Sequence, residues 1–186
     1  MFSQANIKIT GHVLVKDLKT DTVLVDKFNA INAETMSIIL ATMLQGNNSN
    51  YIYEMHFGGG GTITDTSGDI TYKDVEENLK LGTVAELYSP LYSKVVDSSN
   101  TIDNDDETRN NVTINHLNGL PYTDLIVTCT LEENQPESGS EGNLKFDEIG
   151  LKSKDSDYLL SHIVFEPVEK TKERVIQVVY TLRISL

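Results

Sequence analysis

The run His56-Phe57-Gly58-Gly59-Gly60-Gly61-Thr62 is the segment whose composition most directly suggests chemistry. Glycines let backbone amides approach an anion, so a phosphate-binding loop is the first activity to weigh. That signature needs a Lys followed by Ser or Thr where Thr62 and Ile63 stand, and no helical pattern opens there. A dinucleotide fingerprint needs a glycine spacing that is missing as well. Gly58, Gly59, Gly60 and Gly61 therefore read as a hinge, as a tight crossing where a strand leaves its sheet, or as a place where another subunit's backbone approaches. The second candidate is the acidic loop Asp103-Asn104-Asp105-Asp106-Glu107. It resembles a calcium loop, but it lacks the glycine at the sixth position, and Ile114 stands at the twelfth, where a bidentate Glu is needed. A solvated loop is expected, with Asp103, Asp105 and Asp106 as candidates for contact with a neighbouring subunit.

Other reactive side chains are isolated. His12, His56, His116 and His162 each fall in a strand pattern, with no i, i+2 pair and no H-E-x-x-H spacing, so convergence on a metal is not expected. No G-x-S-x-G elbow is present, and Ser138 and Ser140 sit among glycines without flanking strand or helix patterns. Cys129 is the single cysteine, on the same face as Leu125, Val127 and Leu131, and is expected to be a buried thiol. No enzymatic activity, cofactor or metal is expected. Twenty-eight acidic residues against fifteen basic ones give a formal charge of −13, which repels phosphate backbones and argues against a nucleic-acid partner. The sequence begins without a charged n-region followed by an apolar h-region, and no stretch approaches membrane-spanning length, so folding in a cytoplasm is expected.

The elements that would position these residues are mostly strands. Arg174 to Leu186 alternates most cleanly, with Ile176, Val178, Tyr180, Leu182, Ile184 and Leu186 on one face. Strands are also expected over Asn6–Lys16, Val23–Phe28, Tyr51–Phe57, Tyr92–Val96, Val112–His116, Asp124–Glu132, Leu144–Leu151 and Tyr158–Phe165. In the third of these, Tyr51, Tyr53, Met55 and Phe57 oppose Ile52, Glu54 and His56. The last two, with the C-terminal strand, would form a three-stranded unit at the centre of the domain. One helix is expected over about residues 32–45, with Asn32 as N-cap, Gly46 past its end, and Met36, Ile39, Leu40, Met43 and Leu44 as its buried stripe. Glu132 to Asn143 reads as an exposed loop, Glu166 to Glu173 as a separator, and Thr62 to Tyr92 has no assignable pattern. Together these give a mainly β fold, an antiparallel β-sandwich or barrel-like sheet of about nine strands with one α-helix and long polar loops. The whole chain, 1–186, is expected to be a single β-rich domain, with a possible inserted or arm-like excursion at about 58–111.

Three C-terminal segments, F-D-E-I-G-L, L-L-S-H-I-V-F-E-P-V-E-K and R-V-I-Q-V-V-Y-T-L-R-I, resemble the closing part of small virion structural proteins of tailed bacteriophages. G-H-V-L-V-K-D, V-L-V-D-K-F-N-A-I and I-Y-E-M-H-F-G-G-G-G-T are similar to the front of the same kind of protein, and the likeness weakens between Thr62 and Asn111. The resemblance implies a non-enzymatic subunit made in the cytoplasm of a bacterial host and located in the virion. It would assemble as a symmetric oligomer in the neck or tail, as a connector, collar or baseplate component. Its partners would be copies of itself and other virion structural proteins, with no nucleic acid or membrane. Two alternatives follow: a capsid decoration protein, or a receptor- or carbohydrate-binding module of a tail fibre or baseplate. The last could stack a host glycan on Tyr88, Tyr92 or Tyr122.

Overall fold

β1 (Lys8–Asp17) and β2 (Thr22–Ile31) form a hairpin whose turn is held by Asp17: one carboxylate oxygen accepts the amide of Lys19 at 2.9 Å, and the other receives Arg174 Nε at 2.8 Å. Burial opposes the Asp17 charge, yet Arg174 and the turn amides hold its carboxyl below the ordinary value. These details come from a computed structural model that describes residues 6–47, 50–75, 85–136, 143–154 and 159–185. After the hairpin, Asn32 caps α1 (Ala33–Leu44), its side-chain oxygen accepting the Thr35 amide at 3.1 Å, and Gly46 leaves the helix at φ +94°.

The remaining strands are β3 (Ile52–Gly58), β4 (Thr62–Thr64), β5 (Ile70–Tyr72), β6 (Pro90–Val95), β7 (Asn111–Asn115), β8 (Tyr122–Leu131), β9 (Leu144–Ser153), β10 (Leu159–Lys170) and β11 (Ile176–Ser185). Nine of them make one antiparallel sheet in the order β6-β3-β9-β10-β2-β1-β11-β8-β7, and β4 and β5 pair separately. Among the described residues the fold is therefore mainly β with one helix, as the periodicity implies. β2 is the fold line: Thr22 to Asn29 pair with β1, whereas Ala30 and Ile31 pair with His162 and Ser161 of β10. The sheet curls there, and both halves cover one core that joins Val13, Val127 and Val178 to Met55, Ile149 and Ile163. Edge-to-face rings continue it, with Phe57 5.2 Å from Phe146 and Phe146 5.8 Å from Phe165.

The C-terminal strand has its expected faces, with Ile176, Val178, Tyr180 and Leu182 buried. Its neighbours are different from those expected. β11 pairs with β1 on one side and β8 on the other, so β2 and β1 separate it from β10. Arg183 fixes the β8 side by a two-pronged bond to Asp124 at 2.7 and 2.8 Å, with its guanidinium 4.0 Å from the Tyr122 ring.

Other departures have local causes. β10 runs through Glu166 and Pro167, expected to lie in a separator, because a register shift between Val164 and Val168 leaves room for a residue without an N–H. A shift between Ile52 and Glu54 turns Ile52 to the same interior as Met55 and Phe57, overriding strict alternation. The stripe of α1 is only half covered: Met36 and Ile39 are buried, but Met43 is half exposed and Leu44 is 90% exposed. Between β4 and β5 the T-S-G-D turn is built on Asp65, which accepts the amides of Ser67 and Asp69. Val75 to Leu81, and Ser138 and Ser140, lie largely or wholly outside the described residues.

Candidate functional site

The glycine run meets two carboxylates of F-D-E-I-G-L. β3 ends at Gly58 alongside β9, which carries Asp147 and Glu148 side by side. Asp147 Oδ1 accepts the Gly61 amide at 2.8 Å, and Oδ2 accepts the Thr62 amide at 2.9 Å together with the Thr62 hydroxyl. Glu148 Oε1 accepts the amides of Gly60 at 3.2 Å and Ser89 at 2.9 Å; Oε2 accepts the Tyr88 amide at 2.9 Å and lies 2.8 Å from His162 Nε2. Both Glu148 and His162 side chains are fully buried. Burial works against the Glu148 charge, but the bonds from His162, Ser89 and Tyr88 outweigh it and hold its carboxyl below the ordinary range.

This arrangement explains the four glycines. The positive-φ glycines among the described residues are Gly46, Gly68 and Gly119, so the run is required by close approach and not by an unusual backbone. A Cβ at Gly58 would meet Glu148 Cγ and Cδ at 2.8 Å; one at Gly61 would meet both Val164 methyls within 2.9 Å and the Asp147 carbonyl at 3.1 Å. The loop is an anion cradle whose anions are the protein's own side chains. Its amides are occupied, and the two carboxylates and His162 that could act as acid, base or ligand are enclosed.

Asp103, Asp105 and Asp106 face three different partners. Asp103 receives the Tyr53 hydroxyl at 3.2 Å and the Asn100 amide group at 2.8 Å, and Asp106 receives the Thr108 hydroxyl at 2.7 Å. Asp105 bonds the ammonium of Lys94 at 2.9 Å and also receives the amide groups of Gln135 and Asn110. Lys94, buried on β6, reaches the Thr130 carbonyl at 2.7 Å and Gln135 Oε1 at 2.6 Å. Gln135 and the buried Pro136 thus pack inward, where an exposed loop was expected. The acidic loop is a latch between β6 and β8. Among the described residues no three His, Cys, Asp or Glu side chains are grouped to hold a metal. Lys94→Met is expected to lower stability by about 1–3 kcal/mol, because the Thr130 carbonyl loses its charged donor, and a urea titration measures it. An unchanged midpoint would show that water replaces the ammonium without cost.

The other histidines also have local partners: His12 Nε2 lies 2.6 Å from Asp26, His56 Nε2 2.8 Å from Glu54, and His116 Nδ1 2.9 Å from the Thr123 hydroxyl. Cys129 is wholly buried and its thiol is pushed up to about 12 by that burial, which leaves no thiolate nucleophile near neutrality. Comparison with known proteins finds no matching family model, curated protein or solved structure. No helix among the described residues is long and apolar enough to cross a membrane.

Away from the cradle and the latch lies an open, largely apolar concavity. A cavity of about 350 Å³ lies under α1, between Met36, Ile39 and Met43 on one wall and Val112, Ile114 and Leu125 on the other. Its volume is in the range of ligand pockets, and its surface is almost wholly apolar. Sequence reasoning missed it because it lies between segments that each read as ordinary core.

Proposed function

We propose that the protein is a non-enzymatic structural subunit of a tailed-phage virion, assembling as a symmetric oligomer in the neck or tail through strand and loop contacts. The observation that carries this reading is the carboxylate cradle. Two of the motifs that resemble virion proteins, H-F-G-G-G-G-T and F-D-E-I-G-L, are the two halves of one device, and that device shapes a loop. A group poised for catalysis needs access to a substrate, whereas Asp147, Glu148 and His162 are enclosed by the groups they position. Reinforcement of this kind suits a surface that must keep its shape against a neighbouring subunit. The exposed parts of the cradle and latch, including Gly59, Asp103 and Asp105, are then contact candidates.

The test is the composition of purified particles by mass spectrometry, with light scattering of the isolated protein. The expected result is a fixed stoichiometry in the virion, of a dozen copies or so for a ring, with a defined oligomer in solution or on addition of its partner. Hundreds of copies per particle would favour capsid decoration. Absence from purified particles, together with a stable monomer, would overturn the reading.

A further inference from the structure

We propose that β7 is a joining edge through which two copies of this chain pair, antiparallel and two-fold symmetric, covering the mouth of the apolar cavity. Among the described residues β7 is the last strand of the sheet and pairs only with β8, so its outer edge presents backbone groups unpaired within them. The opposite edge is guarded: β6 opens on Pro90, which has no N–H to offer, and carries Lys94. β7 reads Asn-Val-Thr-Ile-Asn, without Pro, charge or bulge. Native proteins protect exposed edges with such devices, and their absence marks an edge that has a partner.

Charge identifies that partner as a second copy. The chain carries a formal −13, so two copies repel over most approaches. Two stretches are free of carboxylates, from Thr35 to Tyr53 and from Thr108 to Thr123. The first includes α1 from Thr35 onward and the second includes β7, and residues of both line the cavity, where Asp97, bonded to Tyr51 and Ser99, is the one carboxylate and Ile114 is 72% exposed. An uncharged free edge therefore adjoins an open, largely apolar pocket. Such a face is self-complementary, as an isologous contact must be.

The register follows from the side-chain alternation. Val112 and Ile114 both line the cavity, and Thr113 points to the other face of the strand. A two-fold axis at Thr113 sets Val112 of each copy beside Ile114 of the other, so aliphatic side chains from both cover the two cavities. The two Thr113 side chains then face each other, with Cβ atoms about 4.5–5.5 Å apart. This contact closes on itself, so it goes beyond the virion reading and does not by itself build a ring.

The experiment is light scattering and analytical ultracentrifugation of the full chain at low and high salt, with the variants Thr113→Glu and Thr113→Lys. The parent is expected to form dimers that tighten as salt screens the −13 charge. Each variant alone is expected to pair at least about tenfold more weakly, since like charges meet across the axis, and an equimolar mixture is expected to recover pairing. Thr113 is exposed and faces away from the core, and circular dichroism checks that each variant folds. A parent that stays monomeric at both salts overturns the proposal. So does a dimer that both variants leave unchanged, or a loss of pairing that mixing does not restore. None of these outcomes alters the particle composition that tests the virion reading.

Discussion

Glu148→Ala is expected to lower the thermal midpoint by roughly 6–20 °C, the equivalent of about 3–5 kcal/mol in a chain of this size. The carboxylate receives the half-buried amides of Gly60 and Tyr88 and the amide of Ser89, and it pairs with His162, whose side chain is fully buried like its own. Truncation leaves those donors facing one another around a void, and each buried donor without an acceptor costs about 1–3 kcal/mol. Glu148→Gln separates charge from shape. It keeps the volume but turns one oxygen into an NH2 group, which would have to face an amide or His162, so an intermediate loss is expected. Calorimetry gives the midpoints, and hydrogen exchange at Gly60, Tyr88 and Ser89 shows whether the loop opens first. An alanine variant that melts with the parent would mean that the cradle contributes nothing to the fold.

Protonation of its buried carboxylates is expected to destabilise the protein from about pH 5 downward. Asp17, Asp97, Asp124 and Glu148 are all buried carboxylates held below their ordinary values by hydrogen bonds from the folded chain. For a depressed carboxyl the folded state releases its proton at lower pH than the unfolded state does. The stabilisation is therefore fully present above the unfolded value, near 4, and is lost as pH falls through the folded value. The formal charge of −13 acts the other way, since protonation relieves repulsion. That repulsion acts mostly between exposed charges and is screened over about 8 Å at physiological salt, whereas the buried bonds are not. The local bonds should win. A thermal midpoint that rises from pH 7 to pH 4 would show that net charge governs the balance instead.

The sequence made some of this architecture legible because one physical rule governed each segment. β11 alternates because only one face is buried, and Asn32 caps α1 because its side chain can satisfy an amide three residues on. Prediction failed where two rules competed. Pro167 reads as a strand breaker until a bulge removes the need for its N–H, and Ile52 reads as outward until a register shift brings it inside. The glycine run showed a loop that receives anions, but Asp147 lies 86 residues from Gly61, and nothing in either segment names the other. Gln135 lies 41 residues from Lys94 and 30 from Asp105, and composition alone presented Asp105 as a solvated charge.

The place of β11 also sets how the fold is completed and how it resists force. Ser185 bonds the carbonyl of Lys8, 177 residues away, so this ladder joins two strands that are far apart in sequence. The hairpins on either side can form early, but the core they share stays open until β11 pairs with β1, and such long-range pairing makes folding slow. The same ladder has Lys8 and Ser185 at one end. Tension applied through the segments flanking them would open the β1–β11 bonds one after another, as a zipper does, whereas a pull along the strands would load them all at once. The β1–β11 ladder should therefore resist load along its strands far better than load that peels the two strands apart from the Lys8–Ser185 end.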